Sequence, residues 1–236
     1  MKKLSSAIGA GAATAALLGL GYVGVTWWRY GKQTSRNGPC DPLLDRFMPT
    51  YEVREHHETE VAAPAEVTYA VARELNLRRS ALVQAIFRGR EILMGSKPTE
   101  REQQQNFLTE VLGLGWRVLA DEPGRELVVG AVTQPWEANV VFRGLAPEEF
   151  AAFAEPGYAK IVWTLAVDPV GRDRSIFRTE TRVATTDPKS RERFRRYWSF
   201  LSPGILLIRL EILRLIRREA GRRVRAGHPA RSPEAE

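Results

Sequence analysis

The chain has three histidines, His56, His57 and His228, and a single cysteine, Cys40, so its stock of nitrogen and sulfur metal ligands is small. His56 and His57 sit side by side in "YEVREHHETEV", a stretch that alternates as a half-buried strand does. Val53, His57, Thr59 and Val61 fall on one face, and Glu52, Arg54, His56, Glu58 and Glu60 on the other. Adjacent strand residues point to opposite faces, so the two imidazoles cannot chelate one metal. His57, on the more apolar face, is the one weak candidate for a catalytic residue, a general base with Glu180 or Tyr197 nearby, although alternation turns Glu180 outward. His228 lies in a terminal tail. No Ser/His/Asp arrangement, phosphate-cradling glycine loop or metal-ligand cluster stands out, so neither a metal nor a cofactor is expected.

The basic residues are just as unevenly placed. Between Lys189 and Arg225 there are twelve Lys/Arg against three Glu, which accounts for the whole formal charge of +7. That segment also carries Phe194, Trp198, Leu201, Ile205, Ile208, Ile212 and Leu215 at alternating steps of four and three, one apolar seam along a helix. A seam this apolar must be buried, and the remaining chain is not basic, so nucleic-acid binding is not expected. The cations form the wet flank of the helix, where anionic lipid is a possible partner. Asp187 and Pro188 supply its N-cap and first turn. Pro203 and Gly204 should bend it gently without breaking the seam's register.

The elements that must position these residues follow from the period of the sequence. Leu4 to Trp28 has no charged residue, is long enough to span ~30 Å of hydrocarbon, and is flanked by Lys2, Lys3 and by Trp27, Trp28 and Tyr30. Residues 1–31 are therefore expected to be a retained single-pass membrane anchor, with the side of the following domain left open; a cleaved secretory signal is the rival reading. Residues 32–50 read as a Pro/Gly-containing connector with a small apolar knot at Leu43, Leu44 and Phe47. One domain is expected over 51–220, and a disordered basic and polar tail over 221–236. Within the domain, the first strand leads into a helix through Val67, Val71 and Leu75. A second helix over about 79–93 puts Leu82, Ile86 and Leu93 on its apolar side, and a third spans about 99–112. Short strands "WRVLAD", "RELVVGAVT" and "ANVVFRG" come next, then a brief helix opened by Pro147. Two long strands, "YAKIVWTLAVDP" and "RSIFRTETRVATT", precede the last helix. In the second of them Arg178, Glu180 and Arg182 should face water.

This is an α+β order in which a long amphipathic helix must close over an antiparallel sheet. On "TEVAAPAEVTYAVAREL", "EPGYAKIVWTLAV", "RTETRVATTD" and "RERFRRYW" the chain resembles the START-related, polyketide cyclase/dehydrase-like superfamily, also called SRPBCC. It looks most like an uncharacterised bacterial branch with an amino-terminal hydrophobic segment. The resemblance covers about 51–218 and implies a helix-grip fold, a curved antiparallel sheet wrapped around the C-terminal helix with an elongated apolar cavity between them. It also implies a hydrophobic small molecule or lipid as ligand, and supplies no superfamily-wide catalytic motif. The long insertion before Trp116 would fill or reshape the cavity. Trp116, Trp136, Phe142, Trp163, Tyr197 and His57 are the candidate cavity residues. Two functions stay open: a membrane-anchored domain that binds or carries an apolar ligand, and a cyclase/dehydrase-like enzyme acting in the same cavity.

Overall fold

The computed structural model describes residues 41–96 and 106–227. The expected anchor over 1–31, the connector up to residue 40, and His228 with the rest of the tail lie outside the described residues. Among the described residues no helix is long and apolar enough to cross a membrane.

Six strands form one antiparallel sheet: β1 (Val53–Val61), β2 (Arg117–Glu122), β3 (Glu126–Thr133), β4 (Phe142–Arg143), β5 (Ala159–Pro169) and β6 (Ser175–Thr185). The spatial order is β1-β6-β5-β3-β2, with β4 added to the end of β3. Register places His56 opposite Glu180 and Trp163 opposite Thr181. The helices are α1 (Pro42–Asp45), α2 (Ala65–Glu74), α3 (Ala81–Met94), α4 (Phe107–Gly113), α5 (Pro147–Ala152) and α6 (Pro188–Arg225). Of the third helix expected over about 99–112, residues 99–105 lie outside the described residues; α4 starts at Phe107, where Asn106 caps it by accepting a hydrogen bond from the Thr109 amide at 2.8 Å. In α3 it is Val83 that is buried, while Leu82 and Leu93 are exposed. The helix shows its partners a narrower face than its composition implied.

Helix α6 is one continuous element of 38 residues with Pro203 inside it. Its start is fixed by Asp187, whose carboxylate accepts from the Ser190 amide and hydroxyl and from the Gly157 amide. Proline costs the helix one amide donor to the Ser199 carbonyl, yet the flanking turns stay in register because the seam is held from outside. At its start Phe194 and Trp198 stack at 5.5 Å and pack with Val53, Ala159 and Val183 of the sheet. Further along the buried stripe shifts by one residue: Leu213, Ile216 and Ala220 join α2 and the strands in the largest core cluster, and the expected seam residues Ile212 and Leu215 pack against it half-buried. The fold is thus a helix grip, as the resemblance implied. Truncating Trp198 to Ala should cost about 3–5 kcal/mol. A chemical denaturation midpoint shifted by that amount checks it, and an unchanged midpoint would remove Trp198 from the core.

The opposite face of the sheet is not wet. Leu43, Leu44, Phe47 and Met48 pack with Phe150 of α5 on Val128, Val132 and Val162, so the later part of the expected connector belongs to the fold. The apolar knot needs a partner, and this face of the sheet is the surface that supplies one. The end of the domain moves as well: α6 continues past the expected boundary at 220 to Arg225, with Gly221 buried.

This covering layer buries charges that alternation had assigned to solvent. The Arg182 side chain is 2% exposed; its guanidinium donates to Glu180 at 2.8 Å, to Asp45 at 2.6 Å and to the Met48 carbonyl, and it stacks over Tyr51. Glu180 also accepts from Arg54 at 2.8 Å and pairs with the His56 imidazole at 3.1 Å. Alternation gave the correct face and the wrong medium, since a fully paired charge looks the same in sequence as a solvated one.

Burial alone would raise the Glu180 carboxyl, but hydrogen bonds from His56, Arg54 and Arg182 outweigh it and hold the value at about 2. The unfolded value is 4.5, so this stabilisation is complete above that pH and is lost as pH falls toward about 2. Its full size is ~3 kcal/mol. A Glu180→Gln variant should be less stable than the parent at pH 7 and should lack this share of the acid dependence. Urea titrations from pH 7 to pH 2 measure both; parallel profiles for parent and variant would contradict the network.

Candidate functional site

Between the concave face of the sheet and α6 lies a cavity of about 880 Å³. Ile161, Trp163 and Leu165 of β5 and Thr179, Thr181 and Val183 of β6 form its floor. Alternation along each strand turns these residues to one side, while Val162 and Glu180 turn to the covered outer face. The roof is the seam of α6, from Phe194 through Leu201, Ile205 and Ile208 to Ile212. The described residues of the insertion before Trp116 supply a side wall through Ile86 and Phe87 of α3 and Phe107 and Val111 of α4. Gly204 permits the close crossing of α3 and α6, because a Cβ there would lie 3.0 Å from the Ile86 methyl.

Aromatic side chains gather at one wall. The Trp116 ring lies 5.0 Å from Phe142 and 6.3 Å from Trp163, which in turn lies 5.6 Å from Phe107. Gly115 makes this possible: its φ of +102° suits glycine, and a Cβ would collide with the Phe142 carbonyl. Polar groups are few and placed at the periphery. Arg78 and Glu110 form a two-pronged pair at 2.8 and 3.1 Å. Burial pushes the Tyr197 phenol up against the pull of the nearby Arg90 guanidinium. The chamber therefore presents apolar and aromatic surface with the half-buried Tyr197 phenol, the Arg78–Glu110 pair, and Arg90, Glu91 and Arg209 at its walls.

Four of the six expected cavity residues, Trp116, Phe142, Trp163 and Tyr197, line the chamber. Trp136 and His57 do not. Trp136 packs with Phe194, Trp198 and Ile161 at the end of the sheet, and its indole N–H has no hydrogen-bond acceptor among the described residues. His57 shares its face with Thr179, but β1 is the edge strand and places the imidazole beside the chamber, near Arg209. Its Nε2 lies 3.6 Å from a Glu55 oxygen. Glu180 is on the other side of the sheet, and the carboxylate beside His57 is that of Glu55, which does not line the chamber. Sequence reading passed over the wall residues Ile86, Arg78, Glu110 and Arg90. The only signal for them was the apolar side of α3, which carried Ile86. Among the described residues no group of three or more His, Cys, Asp and Glu could hold a metal.

Burial and the nearby Arg209 lower the His57 pKa below its ordinary 6.5. A neutral imidazole is therefore favoured in the fold, and stability drops as pH falls below 6.5. His57→Gln should lose this drop between pH 7.5 and pH 5 in urea titrations and should keep its affinity for an uncharged apolar fluorophore within about twofold. A loss of fluorophore binding would return His57 to the site.

No protein-family model matches the sequence, and no curated protein matches it. Solved structures do align with it. The two-domain aromatase/cyclase BexL from the BE-7585A biosynthetic pathway aligns at 14% identity over 73% of this chain, with a TM-score of 0.35. This chain spans 47% of that protein's length. Truncated norcoclaurine synthase from Thalictrum flavum aligns at 14% identity, over 70% of this chain and 91% of its own, with a TM-score of 0.34. The Zhui aromatase/cyclase from Streptomyces sp. R1128 gives 16% identity, 74% and 97% coverage, and a TM-score of 0.24. Scores at this level assign no function. The class is defined by what the chain itself builds, a helix-grip protein with an apolar chamber under its closing helix.

Proposed function

We propose that this protein binds or carries a hydrophobic small molecule or lipid in the chamber under α6. The observation that carries the reading is the chamber itself: about 880 Å³, walled by aliphatic and aromatic side chains, within the size range of small-molecule sites. The uncharged stretch from Leu4 to Trp28 supports a single-pass anchor that would hold the chamber beside a membrane, where apolar molecules are concentrated.

A second reading, a cyclase/dehydrase-like enzyme acting in the same chamber, is favoured by one feature, the Tyr197 phenol in the roof with the Arg90 guanidinium near it. A neutral phenol can donate a proton or a hydrogen bond to a carbonyl oxygen. The two readings separate cleanly: Tyr197→Phe should leave binding intact and abolish turnover only if the enzyme reading holds.

A chain beginning at residue 40 should bind N-phenyl-1-naphthylamine saturably at one molecule per chain. Ile205→Trp, which fills the chamber from the roof, should weaken this binding about tenfold or more; Val224→Trp, on the exposed end of α6, should not. Failure of the parent to saturate, or equal binding by the Ile205 variant, would overturn the assignment.

A further inference from the structure

A second concavity, of about 490 Å³, lies where α6 passes the end of β1 and the β5–β6 turn. It shares no lining residue with the chamber. Four guanidinium groups face it: Arg217, Arg218 and Arg225 from α6, and Arg174 from the turn before β6. The only carboxylate in its lining is Glu60.

These arginines differ from their neighbours. Arg222 pairs with Glu219 at 2.6 Å, and Arg223 with Glu74 at 2.7 Å, so this end of the helix has carboxylates and uses them. Among the described residues, Arg174, Arg217, Arg218 and Arg225 form no ion pair, and all four are exposed. The helix dipole alone favours cations at a C-terminus, but a half-charge there accounts for neither Arg174 on a separate element nor the concavity. The floor carries a further oddity. Gly221 is buried within α6, where glycine costs about 1 kcal/mol relative to alanine. A Cβ there would touch the Arg225 guanidinium at 3.4 Å.

We propose that this concavity is a binding site for a phosphoryl group, carried either by a free phosphate or by a lipid headgroup. A carboxylate has two oxygens and is satisfied by one arginine fork. A tetrahedral dianion presents oxygens on all sides, matches several guanidinium groups, and neutralises most of the excess of positive charge. The site stands on α6, the β5–β6 turn and the end of β1, and is independent of what the chamber holds.

The test uses the full-length chain in dodecyl maltoside at low salt, followed by titration calorimetry. One arm titrates inorganic phosphate; the other compares mixed micelles doped with phosphatidic acid and with phosphatidylcholine. Arg217→Gln combined with Arg218→Gln should weaken phosphoryl binding about tenfold or more, and Arg174→Gln, on a different element, should weaken it as well. Arg193→Gln combined with Arg196→Gln removes equal charge elsewhere on α6 and should change affinity less than about twofold. Inorganic phosphate binding with this pattern identifies a free phosphate ligand; phosphatidic acid binding with this pattern, without phosphate binding, identifies a headgroup. Equal loss in both double variants would mean diffuse charge attraction and would overturn the site, as would acetate binding as tightly as phosphate. Matching melting temperatures for parent and variants confirm that each result is a loss of binding.

Discussion

The burial of the α6 seam in the concave face of the sheet is the contact on which the rest of this structure depends. At its start, Phe194 and Trp198 close against Val53, Ala159 and Val183, and toward its end Leu213, Ile216 and Ala220 close against α2 and the strands. Between these clamps the helix spans the sheet without filling it, and the chamber is the space that remains. Anchoring at both ends also explains how a proline in the middle of a 38-residue helix is tolerated.

A sheet that wraps a helix has two faces to cover, and its outer face uses different chemistry. The segment around α1 contributes Leu44, Phe47 and Met48 to an apolar layer, and beside it the Glu180 carboxylate is held by Arg54, Arg182 and His56. Such a network adds little net energy over an apolar core, but a missing member leaves a buried charge exposed to no solvent and no partner. Nearby, burial and the adjacent Asp41 carboxylate push the Glu126 carboxyl up, which favours its protonated form. The outer layer thus relies on defined protonation states, whereas the chamber side relies on shape.

Much of this was legible in the sequence because periodicity reports burial directly. The steps of four and three from Phe194 to Leu215 gave the closing helix, Asp187 and Pro188 gave its start, and the alternation around His56 and His57 gave their opposite faces. What periodicity lacks is position along a face and the identity of the covering layer. His57 and Thr179 are neighbours on one face, yet only Thr179 lines the chamber, because β1 lies at the edge of the sheet. Trp136 is aromatic and half-buried like Trp116, but it is spent on the Phe194 and Trp198 cluster. Glu180 and Arg182 read as solvated because their partners Asp45 and Arg54 lie more than a hundred residues away in the chain, and no local pattern records that pairing.

The central claim is that the space between the clamps holds an apolar molecule. Native mass spectrometry of the chain from residue 40 onward, purified without detergent and followed by solvent extraction of the same sample, tests it most directly. The account predicts a mass above that of the polypeptide which disappears on denaturation, with a hydrophobic compound recovered in the extract. A polypeptide of bare mass, with an empty extract and no uptake of added lipid or apolar dye, would contradict it.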